Sequence, residues 1–106
     1  MPIEYLFNSH GKHIANSQRG ALYSTAGHNI GHYLKKEQVY IDLNGSYLGE
    51  LFEDNRLVFN ELSQYCKLAF GSHGNIGSIG SQGNPGGIGS TLLPSNLRDI
   101  EASKMS

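Results

Sequence analysis

The amino-acid sequence predicts an all-β protein: a closed, pseudo-fourfold ring of β-hairpin repeats, followed by a glycine-rich tract and a short C-terminal helix or tail. The first observation is an apolar anchor residue that recurs at intervals of 16, 18 and 18 residues, as Phe7, Tyr23, Ile41 and Phe59. The second is a turn signal after each anchor, flanked by residues typical of strands. The third is glycine at every third position from Gly71 to Gly89.

The size and charge of the chain narrow the classes of function. A chain of 106 residues with 38 % hydrophobic residues has room for one small domain with a modest core. A net charge of −1 gives no basic surface, so neither nucleic acid nor a membrane is expected as a partner. The single cysteine, Cys66, excludes an intrachain disulfide. Since no signal peptide or membrane span is recognisable, we expect a cytoplasmic protein.

The repeat is clearest in VYIDLNGSYLGELFEDNRLVF, residues 39–59. Each unit has a small polar residue after the anchor, at Asn8, Ser24, Asp42 and Asn60. Four residues after the anchor stands a turn residue, at Gly11, Gly27, Gly45 and Ser63. Asp, Asn or Ser followed by Gly is turn chemistry, because glycine adopts positive φ without a steric penalty. Each unit is therefore predicted to be an outgoing strand, a polar hairpin tip and a returning strand.

The two ends of the repeat region complement each other. The first unit has a returning strand, residues 3–7, and the fourth has an outgoing strand, residues 64–70. Single hairpins cannot bury a core, so the units must close on one another. Pairing the N-terminal strand with the last outgoing strand closes a ring over residues 1–70 and removes the open sheet edges.

The pattern aromatic–(Asn/Asp)–x–x–Gly–x–x–(Ile/Leu)–Gly is best preserved at residues 41–49, IDLNGSYLG. Over about residues 3–70 the chain resembles a bacterial family described as the four-fold β-flower domain. This resemblance implies the ring fold. The family carries no assigned activity, so the resemblance implies no functional residue.

The tract at residues 71–90 follows a G-X-Y pattern of seven triplets, the last of which ends at Thr91, and this period is typical of polyproline-II or polyglycine-II helices. One face is bare glycine, including Gly74, Gly77 and Gly80, and another carries isoleucines, at Ile76, Ile79 and Ile88. Such faces permit close backbone approach and burial, so the tract is predicted to pack against a second copy or a protein partner. A flexible linker and a collagen triple helix are the alternatives, the latter disfavoured because Pro85 is the only proline in the triplets.

The C-terminal segment, residues 91–106, carries a helix-start signal. Ser95 or Asn96 can cap a short helix, on which Leu97 and Ile100 would share one face. A fraying tail is the alternative.

Nine residues after the first three anchors stand polar side chains at equivalent repeat positions, Asn16, His32 and Glu50. If the ring brings them to its axis, histidine and carboxylate can bind a metal or act as an acid–base pair. The alternative is that they are three solvated side chains on separate strands. Cys66, in an apolar repeat column, is predicted to be a core residue, and Tyr47 and Tyr65 can flank a shallow binding surface.

The sequence contains no nucleophile elbow, P-loop, HExxH or dinucleotide fingerprint. No catalytic residue, metal or cofactor is therefore predicted. The favoured hypothesis is a non-enzymatic structural protein that oligomerises or docks a partner through residues 71–90. The alternative is a small-ligand or metal-binding module at Asn16, His32 and Glu50, and a hydrolytic enzyme at the same residues is the third possibility.

Overall fold

A computed structural model describes residues 3–53, 55–65, 71 and 86–105. Within this part of the chain the secondary structure is strand, apart from one turn of 3₁₀ helix at Ala102–Lys104. The strands are β1 Glu4–Phe7, β2 His13–Gln18, β3 Ala21–Ser24, β4 Asn29–Leu34, β5 Val39–Asp42, β6 Tyr47–Phe52, β7 Arg56–Asn60 and β8 Leu97–Asp99. The predicted all-β class is confirmed.

Strands β1 to β7 form a closed barrel. Each is antiparallel to the next along the chain, as expected for successive hairpins. The barrel closes where β1 runs parallel to β7, with Phe7 opposite Arg56. The Phe7 amide donates to the Asn55 carbonyl over 2.9 Å at this junction. The N-terminal strand thus closes the barrel, as predicted, but its partner at this junction is β7, whereas the sequence predicts the outgoing strand at residues 64–70.

The antiparallel partner of β7 on its second side is β8, with Val58 opposite Asp99 and Asn60 opposite Leu97. The sequence instead predicts that an outgoing strand at residues 64–70 occupies this position beside β7. Of that segment the described part, residues 64 and 65, forms a turn, and residues 66–70, including Cys66, lie outside the described residues.

The prediction of a C-terminal helix beginning near Leu97 is wrong. In extended form, β8 satisfies backbone groups of β7 and delivers Ile100 to the core, where it is 9 % exposed. Gly49 makes room for it, because a Cβ at that position would lie 2.7 Å from Ile100 Cδ1.

Three turns share one construction. Pairing shifts by a β-bulge at the same repeat position in three hairpins: Leu6/Phe7, Leu22/Tyr23 and Tyr40/Ile41. The side chain after each anchor then accepts backbone N–H groups of its own turn, and the glycine that follows has positive φ; these residues are Asn8, Ser24, Asp42 and Gly11, Gly27, Gly45. The predicted turn role of Asp42 is confirmed, as is that of Asn60, whose Oδ1 accepts the amide of Leu62.

The core lies inside the barrel and draws on every strand from β1 to β7 together with the C-terminal residues. Its buried members are Leu6, Ala15, Leu22, Ile30, Tyr40, Leu48, Leu57, Ile100 and Met105. The chain after β7 is therefore part of the folded unit.

The end of the glycine-rich tract lies across the first turn. The Ile88 amide donates to the Gly11 carbonyl over 3.0 Å, and the Thr91 amide donates to the Ser9 carbonyl over 2.8 Å. Ile88 is 38 % exposed. Residues 72–85 lie outside the described part, and so do the predicted assembly residues Gly74, Gly77, Gly80, Ile76 and Ile79, whose role stays a prediction.

Candidate functional site

Asn16, His32 and Glu50 occupy the same position on β2, β4 and β6. One strand separates each from the next, so neighbouring backbones of this set are about 9–10 Å apart. Asn16 is fully buried and its Oδ1 lies 2.6 Å from His13 Nε2, while Glu50 Oε1 accepts the Tyr47 hydroxyl over 2.7 Å. These two contacts each stay within one strand. In the described part of the chain, no group of three or more His, Cys, Asp or Glu side chains could hold a metal ion.

The barrel has two different ends. The end with the three glycine turns is the turn end, and the chain around Ile88 lies across it. At the other end, the tip end, the hairpins β2–β3, β4–β5 and β6–β7 turn over. The tip end opens into a concave space of about 780 Å³, which we call the mouth.

The floor of the mouth is formed by Tyr33, Tyr40 and Leu51. The two tyrosine rings lie opposite each other on β4 and β5, with centroids 4.9 Å apart and planes inclined by 50°. The Tyr40 hydroxyl donates to Ser17 Oγ over 2.9 Å. Burial, helped by the nearby carboxylate of Glu4, raises the pKa of Tyr40, so the phenol stays neutral.

Sequence reasoning missed this site, although a signal exists. Ser17, Tyr33 and Leu51 each stand ten residues after an anchor and belong to one repeat column. Members of that column alternate in side-chain direction with Asn16, His32 and Glu50, because successive residues of a strand point to opposite faces. In the folded barrel, Tyr33 and Leu51 of the second column pack against the core.

The rim of the mouth carries charge. Arg19 and Lys35 are exposed on adjacent hairpin tips, and Glu4 stands at the start of β1. In the described residues none of the three takes part in a salt bridge. The rim thus presents two cations and one carboxylate that no described counter-charge neutralises.

The hairpin tips also hold unusual backbone conformations. Among the described residues, three other than glycine have positive φ, and all are at tips: Arg19 (53°), Gln38 (59°) and Glu53 (53°). Arg19 and Gly20 form a two-residue connection with positive φ at both positions, the conformation of a type I′ turn. Arg19 and Gln38 both line the mouth.

No known protein family, curated protein or solved structure matches this chain. In the described part of the chain no helix is long and apolar enough to cross a membrane. What the site can do therefore follows from its own geometry.

A second polar cluster joins the first turn to β8. Asp99 accepts the Ser9 amide over 2.7 Å and the Ser9 hydroxyl over 2.6 Å, and His10 Nε2 lies 3.7 Å from the same carboxylate. A serine nucleophile instead needs its hydroxyl hydrogen-bonded to the histidine. Because Ser9 donates to Asp99 and His10 is 79 % exposed, this cluster ties the turn to the strand.

Tyr47 does not flank a surface as suggested by the sequence. It is 5 % exposed, and its ring meets that of Phe59 edge-on with centroids 5.1 Å apart. Tyr65 lines a separate polar depression with Glu50 and Leu62.

Proposed function

We propose that the protein is a small-ligand binding module and that its site is the mouth at the tip end of the barrel. The observation that carries the proposal is the paired floor of Tyr33 and Tyr40, fixed by the hydrogen bond from Tyr40 to Ser17. Small-molecule sites are typically concave and largely apolar, with a few fixed polar groups. The mouth has this composition, whereas the side chains of Asn16 and Glu50 are engaged within their own strands.

The floor favours a ligand with a flat or chain-like apolar body. Tyr33 and Leu51 are only half-buried, so a ligand that covers them removes apolar surface from water. Tyrosine adds a polar tip to a large apolar ring, which suits a site that is dry at its base and wet at its rim.

The test is equilibrium binding of the neutral fluorescent probe N-phenyl-1-naphthylamine to the full chain. We expect saturable binding that Tyr33→Ser weakens by about tenfold, because the substitution removes one wall of the floor. Serine is the residue at the equivalent repeat position, Ser17, so the variant keeps a side chain that this fold already accepts.

The matched control is Tyr5→Ser, which removes a half-buried tyrosine that packs edge-on to His13, 5.4 Å between centroids. The control should keep the affinity of the wild type. Absence of saturable binding to the wild type, or equal loss in both variants with native near-ultraviolet circular dichroism, would contradict the proposal.

Assembly through the glycine-rich tract remains a second candidate function, favoured by one observation. The described end of the tract docks mainly through its own backbone: the Ile88 amide donates to the Gly11 carbonyl and the Gly89 carbonyl accepts the Arg56 guanidinium, while one side chain, the Ser90 hydroxyl, donates to the His10 carbonyl. Glycine turns that accept an extended backbone in this way can accept the same segment from a second copy.

Solution mass measured over a range of concentrations tests assembly. We expect an oligomer in the full chain that Ile76→Ser combined with Ile79→Ser converts to monomer. A wild-type mass of one chain at every concentration would contradict it. Truncation is unsuitable, because residues 97–105 complete the sheet and the core.

The pseudo-fourfold symmetry of the ring is also a proposal. Three hairpins share the bulge and the turn, which supports a pseudo-fourfold ring like that of the β-flower domains, with residues around Asn60 as a degenerate fourth unit. A cytoplasmic location is likewise proposed, on the composition of the chain and its single cysteine.

A further inference from the structure

We infer that the mouth is selective for an organic acid with a single carboxylate and an apolar body, and that Arg19 is the residue that selects it. This inference rests on the proposed function, since it names the ligand class of the same site. The apolar body would lie over Tyr33, Tyr40 and Leu51, and the carboxylate would lie at the rim between Arg19 and Lys35.

The charges at the rim support an anion. Arg19 and Lys35 stand on adjacent tips, and neither has a salt-bridge partner in the described residues. Cations beside a concave apolar surface raise the local concentration of anions, because the low-dielectric wall focuses the field. The guanidinium of Arg19 can bind both carboxylate oxygens at once, which adds geometric specificity to charge.

Glu4 limits the charge of the ligand. Its carboxylate lies on the same rim, close enough to raise the pKa of Tyr40. A ligand with a second negative group near the rim would be repelled by Glu4, so one carboxylate fits better than two.

The backbone at Arg19 supports a role for its side chain. Its φ of 53° lies in the left-handed region, where an arginine is less stable than glycine or asparagine. The type I′ connection that it forms with Gly20 favours Asn-Gly in that place. A residue that is unfavourable in the backbone conformation of its turn is expected mainly where its side chain has a function.

The experiment is calorimetric titration of the full chain with decanoate and with decan-1-ol, which share an apolar chain and differ in the anionic group. We expect decanoate to bind about tenfold more tightly, since a charge-assisted hydrogen bond contributes about one factor of ten. Arg19→Asn should remove this preference, so that decanoate and decan-1-ol bind with similar affinity. It should also raise Tm by about 2–5 °C, because asparagine tolerates positive φ.

The matched control is Glu53→Asn. Glu53 has the same φ of 53° at another tip but is not among the residues that line the mouth. This variant should raise Tm in the same way and keep the preference for decanoate.

The outcomes distinguish failure of the inferred carboxylate selectivity from failure of the proposed ligand binding. Equal affinity of the wild type for decanoate and decan-1-ol, or an unchanged preference in Arg19→Asn, overturns the inference while the binding function stands. Failure of both compounds and of N-phenyl-1-naphthylamine to bind overturns both.

Discussion

At the scale of single residues, Tyr47 shows how a buried polar group is held within a repeat unit. Its hydroxyl donates to Glu50 Oε1 over 2.7 Å and accepts the Asn60 amide over 3.1 Å, so it links β6 to the end of β7. Burial, and then the hydrogen bond to Glu50, raise the pKa of Tyr47 well above its ordinary value of 10.0.

This raised pKa predicts a loss of stability in alkali. Below pH ~10 the phenol is neutral in both states, so its contribution to stability is constant. Above that pH the unfolded chain releases the proton and the native protein keeps it, so the free energy of unfolding falls as pH rises. Tyr47→Phe should lower the free energy of unfolding at pH 7 by about 1–2 kcal/mol and flatten the decline above pH ~10.

Denaturant titrations at a series of pH values check this prediction. Tyr5→Phe is the control, because it removes a phenol hydroxyl from a half-buried ring that packs edge-on to His13. Parallel curves for Tyr47→Phe and the wild type across the alkaline range would show that Tyr47 does not carry the effect.

At the scale of elements, the turn end and the tip end use glycine for different reasons. Gly11 and Gly20 both have positive φ, 83° and 79°. A Cβ at Gly11 would overlap the carbonyl oxygen of Ile88, whereas a Cβ at Gly20 would have no atom within 4 Å. Gly45 resembles Gly11, because a Cβ there would overlap the carbonyl oxygen of Gly71. Gly11 and Gly45 thus serve both the turn and the chain that lies on it.

Two alanine substitutions separate these roles. Gly20→Ala should lower the free energy of unfolding by about 1 kcal/mol, the penalty of positive φ alone. Gly11→Ala should lower it by about 3 kcal/mol or more, because the backbone around Ile88 must also move.

Limited proteolysis supplies the second readout. Gly11→Ala should expose residues 86–91 to cleavage, whereas Gly20→Ala should not. Equal destabilisation and equal cleavage in both variants would mean that the contact with Ile88 does not contribute to the free energy of unfolding.

At the scale of the whole molecule, Arg56 joins the parts that are distant in sequence. It stands opposite Phe7 where the barrel closes and is 8 % exposed. Its guanidinium donates to the carbonyls of Asn8 over 3.0 Å and Gly89 over 2.5 Å. One buried side chain therefore connects β7, the first turn and the end of the glycine-rich tract.

Replacing Arg56 tests this connection. Arg56→Met keeps the volume and removes the guanidinium donors to Asn8 and Gly89, although the Asn8 carbonyl still accepts the Gly11 amide. We expect a loss of about 2–4 kcal/mol in the free energy of unfolding, since Arg56 is buried and hydrogen bonds from a charged group are strong.

Arg98→Met is the matched control for Arg56→Met. Arg98 is 43 % exposed, stacks on Phe59 at 4.5 Å and pairs with Glu61 at 2.9 Å, contacts that contribute about 1 kcal/mol or less at the surface. Similar losses in the two variants, measured by denaturant titration, would contradict a special role for Arg56.

The amino-acid sequence by itself determined the local features. Turns such as that at Asp42 and Gly45, and strands such as β5 and β6, follow from interactions between residues a few positions apart. The all-β class and the equivalent positions of the first three anchors follow from the same local chemistry. These local interactions depend little on the rest of the fold, so their pattern can be recognised in the sequence.

Only the tertiary structure decided which distant segments meet. Leu97 has an acceptable helix signal, yet it joins a strand, because a place beside β7 and a pocket for Ile100 next to Gly49 are available. Whether a repeat column faces the barrel interior depends on the closure of the barrel, which no local pattern reports. The mouth exists for the same reason. Tyr33 meets Tyr40 within one hairpin, but Glu4 of β1 and Leu51 of β6 line the same space only when the barrel closes between β1 and β7, and that long-range closure is encoded across the whole chain.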